Sequence, residues 1–139
     1  MNLPRSPHHD TGAFVEECPF CKILNGEAPA YKVYEDGLCI GILDTNPACP
    51  GQTILLTKRH APSYIFLQNE ADYLKFLVSC RNAGKLLEKK LHAPKVQLGV
   101  FGTSVDHLHA KLFPTGERVT KDGRAATAAE LEGMQRKIA

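Results

Sequence analysis

The stretch His107-Leu108-His109-Ala110-Lys111-Leu112-Phe113-Pro114 decides how this chain folds, because polar and apolar side chains alternate along it residue by residue. Successive side chains of a β-strand point to opposite faces, so residues two apart share one face. His107, His109 and Lys111 therefore line up together, and Leu108, Ala110 and Leu112 turn the other way into a core. One face can offer nitrogen nucleophiles, metal ligands and a fixed positive charge to an anionic substrate. The other packs.

Upstream of this strand, Tyr31-Lys32-Val33-Tyr34 alternates as a strand and turns at Glu35-Asp36-Gly37. Leu38 to Leu43 is an apolar run that reads as a buried strand, closed by Asp44-Thr45-Asn46-Pro47. Thr53 to Thr57 follows the Pro50-Gly51 turn as another. Their short connections predict an antiparallel meander. Between Asn69 and Leu91 the period changes to 3.6, with Tyr73, Leu74, Leu77, Val78, Leu86 and Leu87 on a stripe and Lys85, Glu88, Lys89 and Lys90 outside it. Val96–Val100 and Val105–Phe113 return as strands, separated by Phe101-Gly102-Thr103-Ser104. Phe20, Ile23 and Leu24 mark a short helix stopped by Gly26 and Pro29. Thr127-Ala128-Ala129-Glu130 reads as a capping box before Leu131, Met134 and Ile138, predicting a terminal helix of about ten residues. The expected class is α+β: an antiparallel sheet of about five strands with one long helix and short N- and C-terminal helices. Residues 1–12 are expected to be a flexible lead, 13–116 the domain, and 117–139 a C-terminal extension with a helix.

At 139 residues the chain can bury one sizeable core. Hydrophobic content of 43% with 23% charged residues fits a soluble globular protein. A formal charge of +2 is too small to argue for a nucleic-acid partner. The chain shows neither a signal-like N-terminal apolar run nor a span of about 20 apolar residues, so a reducing cytoplasm is the expected location. Five cysteines are odd in number and sparsely placed. Cys39, Cys49 and Cys80 read as small buried hydrophobes, and the His8-His9 pair as adventitious.

Cys18-x-x-Cys21 is different, since two thiolates at that spacing can chelate one ion, and sulfur with imidazole makes a good tetrahedral zinc set. A Cys pair alone is half a site. A reduced pair that binds nothing stays open at this point; a thioredoxin-like redox pair lacks a βαβ context.

His-x-His-x-Lys-x-x-Pro resembles the histidine-triad (HIT) motif His-x-His-x-His-x-x-Pro, with lysine in the third position. The resemblance extends upstream through Cys18-Pro19-Phe20-Cys21-Lys22-Ile23-Leu24-Asn25-Gly26-Glu27-Ala28-Pro29, Tyr34-Glu35-Asp36, Leu43-Asp44-Thr45-Asn46-Pro47, Pro50-Gly51 and Lys58-Arg59-His60, in the family's order. It is closest to the Hint-like, zinc-bearing bacterial branch. It implies a HIT-like fold and a structural zinc held by Cys18, Cys21, His60 and His107. It also implies cleavage at the α-phosphorus of a nucleoside phosphate by His109 as nucleophile, through a nucleotidyl-histidine. Phe20 and Ile23 match the residues that pack against the base, Asp44 the ribose-binding aspartate, and Thr103 and Ser104 lie in the phosphate-binding segment; Lys111 would sit beside the nucleophile. As plain structure, Phe20 and Ile23 would be core and Asp44 a turn former. A purine nucleotide or conjugate is the implied ligand, and homodimerisation the family's habit.

Three departures bear on activity: Lys111 for histidine, Thr103 for the family's glutamine, and Gln52 where histidine commonly follows Gly51. Lysine stabilises charge on phosphate, but an ordinary pKa of about 10.4 makes it a poor proton shuttle. Two readings follow. One is a nucleotide hydrolase or nucleotidyl transferase acting on phosphoramidates, dinucleoside polyphosphates or adenylyl conjugates. The other is a zinc-stabilised nucleotide-binding or regulatory module with little catalysis. A nucleic-acid binder lacks the basic stripe and interleaved aromatics it would need.

Overall fold

The computed structural model describes residues 14–120 and 122–139; the expected flexible lead through residue 12 and the His8-His9 pair lie outside them. The elements in chain order are α1 (Pro19–Leu24), β1 (Lys32–Glu35), β2 (Cys39–Leu43), β3 (Thr53–Thr57), a 3-10 turn (Ile65–Leu67), α2 (Glu70–Leu91), β4 (Gln97–Gly99), β5 (His109–Phe113) and α3 (Ala128–Ile138). The five strands form one antiparallel sheet in the order β1-β2-β3-β5-β4, so the α+β expectation holds. The first three strands meander as expected. The last two do not continue in order, because the 22 residues of α2, about 33 Å of helix, carry the chain across the sheet. β4 is laid down at the far edge, and β5 fills the gap beside β3. That return places His109 opposite Leu56 and Lys111 between Ile54 and Gly99, on an interior strand rather than at the edge of the sheet.

The final strand is shorter than its alternation predicts and begins at His109. Residues 105–107 instead make a local turn, closed by the His107 N–H on the Val105 carbonyl at 2.9 Å. The alternation of side chains survives this change. Leu108, Ala110 and Leu112 enter a core with Cys39, Leu43, Leu55 and the long helix, while the opposite face gathers Ile40, Ile42 and Leu56 against Phe20, Cys18 and Cys21 of the N-terminal segment.

Asn69 caps α2 by accepting the Asp72 N–H at 2.9 Å. Glu70 and Asp72 in its first turn and Lys89 and Lys90 in its last complement the helix dipole. The face it buries is Phe76, Ser79, Cys80, Ala83 and Leu87. Leu74 and Val78, expected on the apolar stripe, are 53% and 55% exposed. Two stripes overlap on this helix, and the sheet takes the one whose small residues allow a close approach. Leu131 and Ile138 bring α3 into the same core, and the Thr127–Glu130 capping box is formed reciprocally. Cys39 and Cys80 are buried as expected, whereas Cys49 is only half-buried because it lies in the loop before β3. No helix among the described residues is long and apolar enough to cross a membrane.

The β1–β2 turn is tied to α2 through one carboxylate. Asp36 accepts the N–H groups of Leu38 and Cys39 at 2.8 and 2.7 Å, and the hydroxyls of Tyr34 and Ser79 at 2.6 and 2.7 Å. Burial alone would raise this carboxyl, but the donors outweigh it and hold the group below the ordinary aspartate value. A depressed folded pKa contributes stability above the unfolded value of about 3.9, and that stability is lost as pH falls through the folded value. Asp36→Asn is expected to cost about 2 kcal/mol at neutral pH. In thermal melts the gap between variant and wild type should narrow as pH is lowered from about 6 toward 3.

Candidate functional site

Four potential metal ligands converge where α1 meets the chain entering β5. One ligand atom from each of Cys18, Cys21, His60 and His107 lies within 4.8 Å of every other, and all four residues are buried. The Cys18 sulfur is 3.3 Å from His107 Nδ1, and the Cys21 sulfur is 3.3 Å from His60 Nδ1 and 3.7 Å from His107 Nδ1. The edges of a zinc tetrahedron with bonds of about 2.3 Å to sulfur and 2.0 Å to nitrogen run about 3.3–3.8 Å, so these spacings fit that ion. Four protein ligands fill the tetrahedron, which makes the ion structural.

The tautomer of His107 is set by its other nitrogen. Nε2 lies 2.8 Å from the Thr57 carbonyl, which can only accept, so Nε2 carries the hydrogen and Nδ1 keeps its lone pair for a metal. Burial pushes the His107 pKa down to about 4, keeping the ring neutral. Burial pushes the Cys21 thiol up to about 11, a shift that a bound dication reverses. α1 owes its start to the same residues: Cys18 accepts the Cys21 N–H at 3.4 Å, and Pro19 occupies the first turn.

His109 lies one strand step beyond, 3% exposed, with its ring edge-on to Phe20 at a centroid distance of 4.9 Å. Its Nδ1 is 2.6 Å from the His107 carbonyl. A carbonyl only accepts, so Nδ1 carries the hydrogen and Nε2 is left with an in-plane lone pair. Burial, with the Lys111 charge adding to it, holds the His109 pKa below the ordinary histidine value, so the ring is neutral at pH 7. Lys111 follows on the same face, half-buried. A neutral imidazole with a fixed tautomer beside an ammonium suits attack on an anionic electrophile.

Ile23 lines a groove of about 540 Å³ beside Ile40 and Ile42, whereas Phe20 is buried in the apolar cluster with Ile40 and Ile42 and is not part of the groove's lining. Lys58 and Glu35 pair at 2.8 Å on its rim. Asp44 continues the β2 alternation beyond Ile40 and Ile42. It makes a turn as well, since its carboxylate accepts the Asn46 N–H and the Gln52 amide, each at 2.9 Å. Gln52, which stands where the family's histidine is common, is thereby buried as the partner of Asp44. Asp44 also borders a larger cleft of about 730 Å³ between the 47–52 loop and α3, whose lining does not include His109 or Lys111. Thr103 and Ser104 are exposed on the turn before His107.

Ser63 and Asp106 were not legible as site residues. Ser63 donates its hydroxyl to the Gly102 carbonyl at 3.0 Å, and its own N–H is accepted by Asp106 at 3.0 Å. Together they clamp the Thr103–Ser104 turn. Gly102 needs its glycine there: its φ is +71°, and a Cβ would sit 2.8 Å from the Ser63 carbonyl oxygen. No local sequence signal links residues 39 apart.

Comparison with known proteins agrees with this arrangement. The chain is similar to an uncharacterised HIT-like protein of Borreliella burgdorferi, 34% identical over 77% of this chain and 79% of that one. It is 28% identical to adenosine 5'-monophosphoramidase hnt1 of Schizosaccharomyces pombe, over 70% of this chain and 73% of that one. The fold matches a zinc-bound histidine triad family protein from Mycobacterium smegmatis with a TM-score of 0.72 at 22% identity, covering 88% of this chain and 93% of that one. The HIT domain family model matches residues 25–118. With that span containing the His109 row together with His60 and His107, and Cys18 and Cys21 lying just before it, the chain belongs to the HIT domain family.

Proposed function

We propose that this protein is a nucleotide hydrolase or nucleotidyl transferase that cleaves at the α-phosphorus of a nucleoside phosphoramidate, dinucleoside polyphosphate or related adenylyl conjugate. The observation that carries the reading is the 2.6 Å hydrogen bond from His109 Nδ1–H to the His107 carbonyl, which leaves Nε2 unprotonated. In the first step Nε2 bonds to phosphorus, and the bond to the leaving nitrogen or oxygen breaks with its electron pair; the leaving group takes a proton from solvent. Water then attacks phosphorus and gives up a proton to solvent, the N–P bond breaks with its electron pair returning to Nε2, and the nucleoside monophosphate departs with His109 neutral again. Lys111 serves as a charge clamp on the phosphate oxygens. The turn bearing Thr103 and Ser104 contributes donors to the phosphate, Asp44 accepts the ribose hydroxyls, and the base, a purine, packs against Phe20 and Ile23. A zinc ion held by Cys18, Cys21, His60 and His107 would fix the segment that carries Phe20 to the strand that carries the nucleophile. The relative named as a phosphoramidase supports the reaction class.

Residues 13–116 carry this chemistry, with α3 as a buttress. The exposed Leu74 and Val78 on α2 support a homodimer packed through the long helices. Five unpaired thiols, two of them metal ligands, suit a reducing compartment such as the cytoplasm. The reading is tested by chromatographic assay of adenosine monophosphate released from adenosine phosphoramidate and diadenosine polyphosphates. Lys111→Met should lower kcat about 10²-fold with little change in melting temperature. A second reading, nucleotide binding with little turnover, draws on Lys111, a poor proton donor at the third triad position. Nucleotide bound without product would select it.

A further inference from the structure

Phe101 is a large aromatic side chain, 60% exposed, at the sheet edge. Its position is not loose. A Cβ built on Gly99 would fall on the Phe101 ring, 2.6 Å from Cε2 and closer still to Cζ, so the ring covers the bare backbone of Gly99. Gly99 is paired directly with Lys111, and directly opposed residues of an antiparallel pair project to the same face. The ring therefore lies on the face that presents His109 and Lys111, one strand further toward the edge.

On the other side of that row lies the groove lined by Ile23, Ile40 and Ile42 together with Lys32, Glu35 and Lys58. With a nucleoside in that groove and its phosphorus at His109, the remaining free side of the row is the one toward Lys111 and β4. We infer that Phe101 is a specificity-determining residue, the platform on which the leaving group stacks, and that it favours aromatic leaving groups over small aliphatic ones. This inference rests on the nucleotide site proposed above and names the class of leaving group that site accepts. An exposed ring seated over glycine offers aromatic surface that is already held in place. Offset stacking on such a face gains affinity beyond plain area burial.

The test uses ligands that cannot turn over, adenosine methylphosphonate and adenosine phenethylphosphonate, whose P–C bonds hold the leaving-group mimic in place. Calorimetric affinities are compared for wild type, Phe101→Ala and Phe101→Tyr. Wild type should bind the phenethyl compound about tenfold more tightly than the methyl compound. Phe101→Ala should reduce that ratio to about twofold with the methyl affinity little changed, and Phe101→Tyr should preserve it. A wild-type ratio near one, an unchanged ratio in Phe101→Ala, or equal losses for both ligands would overturn the inference and leave Phe101 as a cover for Gly99. If wild type binds neither compound, the nucleotide site itself is wrong and the inference falls with it. Monophosphate release, measured separately, reports on the hydrolase reading alone.

Discussion

His109→Ala is expected to lower monophosphate release at least about 10³-fold while nucleotide affinity stays within a few-fold of wild type. The reason is the division of labour on this face: the groove at Ile23, Ile40 and Ile42 is formed without His109, whereas Nε2 is the nucleophilic atom. Removing the ring leaves a cavity beside Phe20, whose centroid lies 4.9 Å away. A cost of about 2–3 kcal/mol in stability is expected, too little to unfold the chain at room temperature. Added imidazole, which can occupy that cavity, should restore part of the rate without changing nucleotide affinity. Circular dichroism and a melting curve separate a chemical defect from a folding one. Undiminished turnover by a folded variant would remove His109 from the chemistry.

Loss of the metal should be the largest effect on stability. The Cys18–His107 pair joins positions 89 residues apart, so a shared ion closes a long loop and fixes α1 to the sheet. A ligand that binds only the folded state at about 1,000 times its Kd adds about 4 kcal/mol. For a chain of this size that corresponds to about 10 °C or more in melting temperature. Cys18→Ser with Cys21→Ser, or incubation with a strong chelator, should produce that drop, together with loss of one zinc per chain by elemental analysis. Acid should weaken the site in parallel, because thiols and imidazoles must give up protons to bind. A metal-free protein that melts with the wild type would mean that the cluster holds no structural ion.

The fold was legible where a residue's role follows from its neighbours in sequence. The alternation from His107 to Leu112, the cap at Thr127 and the Asp44–Pro47 turn are short-range signals, and each appears where expected. What could not be read depends on contacts between distant segments. The choice of Phe76, Cys80, Ala83 and Leu87 over Leu74 and Val78 is made by a sheet that needs small side chains beneath a close helix. The insertion of β5 between β3 and β4 follows from the reach of α2, not from any local pattern. At the site, the four clustered residues were identifiable by motif, but the carbonyls that set the tautomers, at Thr57 and His107, belong to the backbone and leave no mark in the sequence. Ser63 and Asp106 act across loops in the same way.

The central claim is that His109 forms a covalent bond to the α-phosphorus. The direct measurement is mass spectrometry of protein quenched under alkaline conditions during turnover of adenosine phosphoramidate, followed by proteolysis. One adenylyl group on the peptide containing His109, acid-labile and absent from His109→Ala, is the expected result. Steady turnover with no adenylylated peptide at any quench time, or an adduct on another residue, would contradict the account.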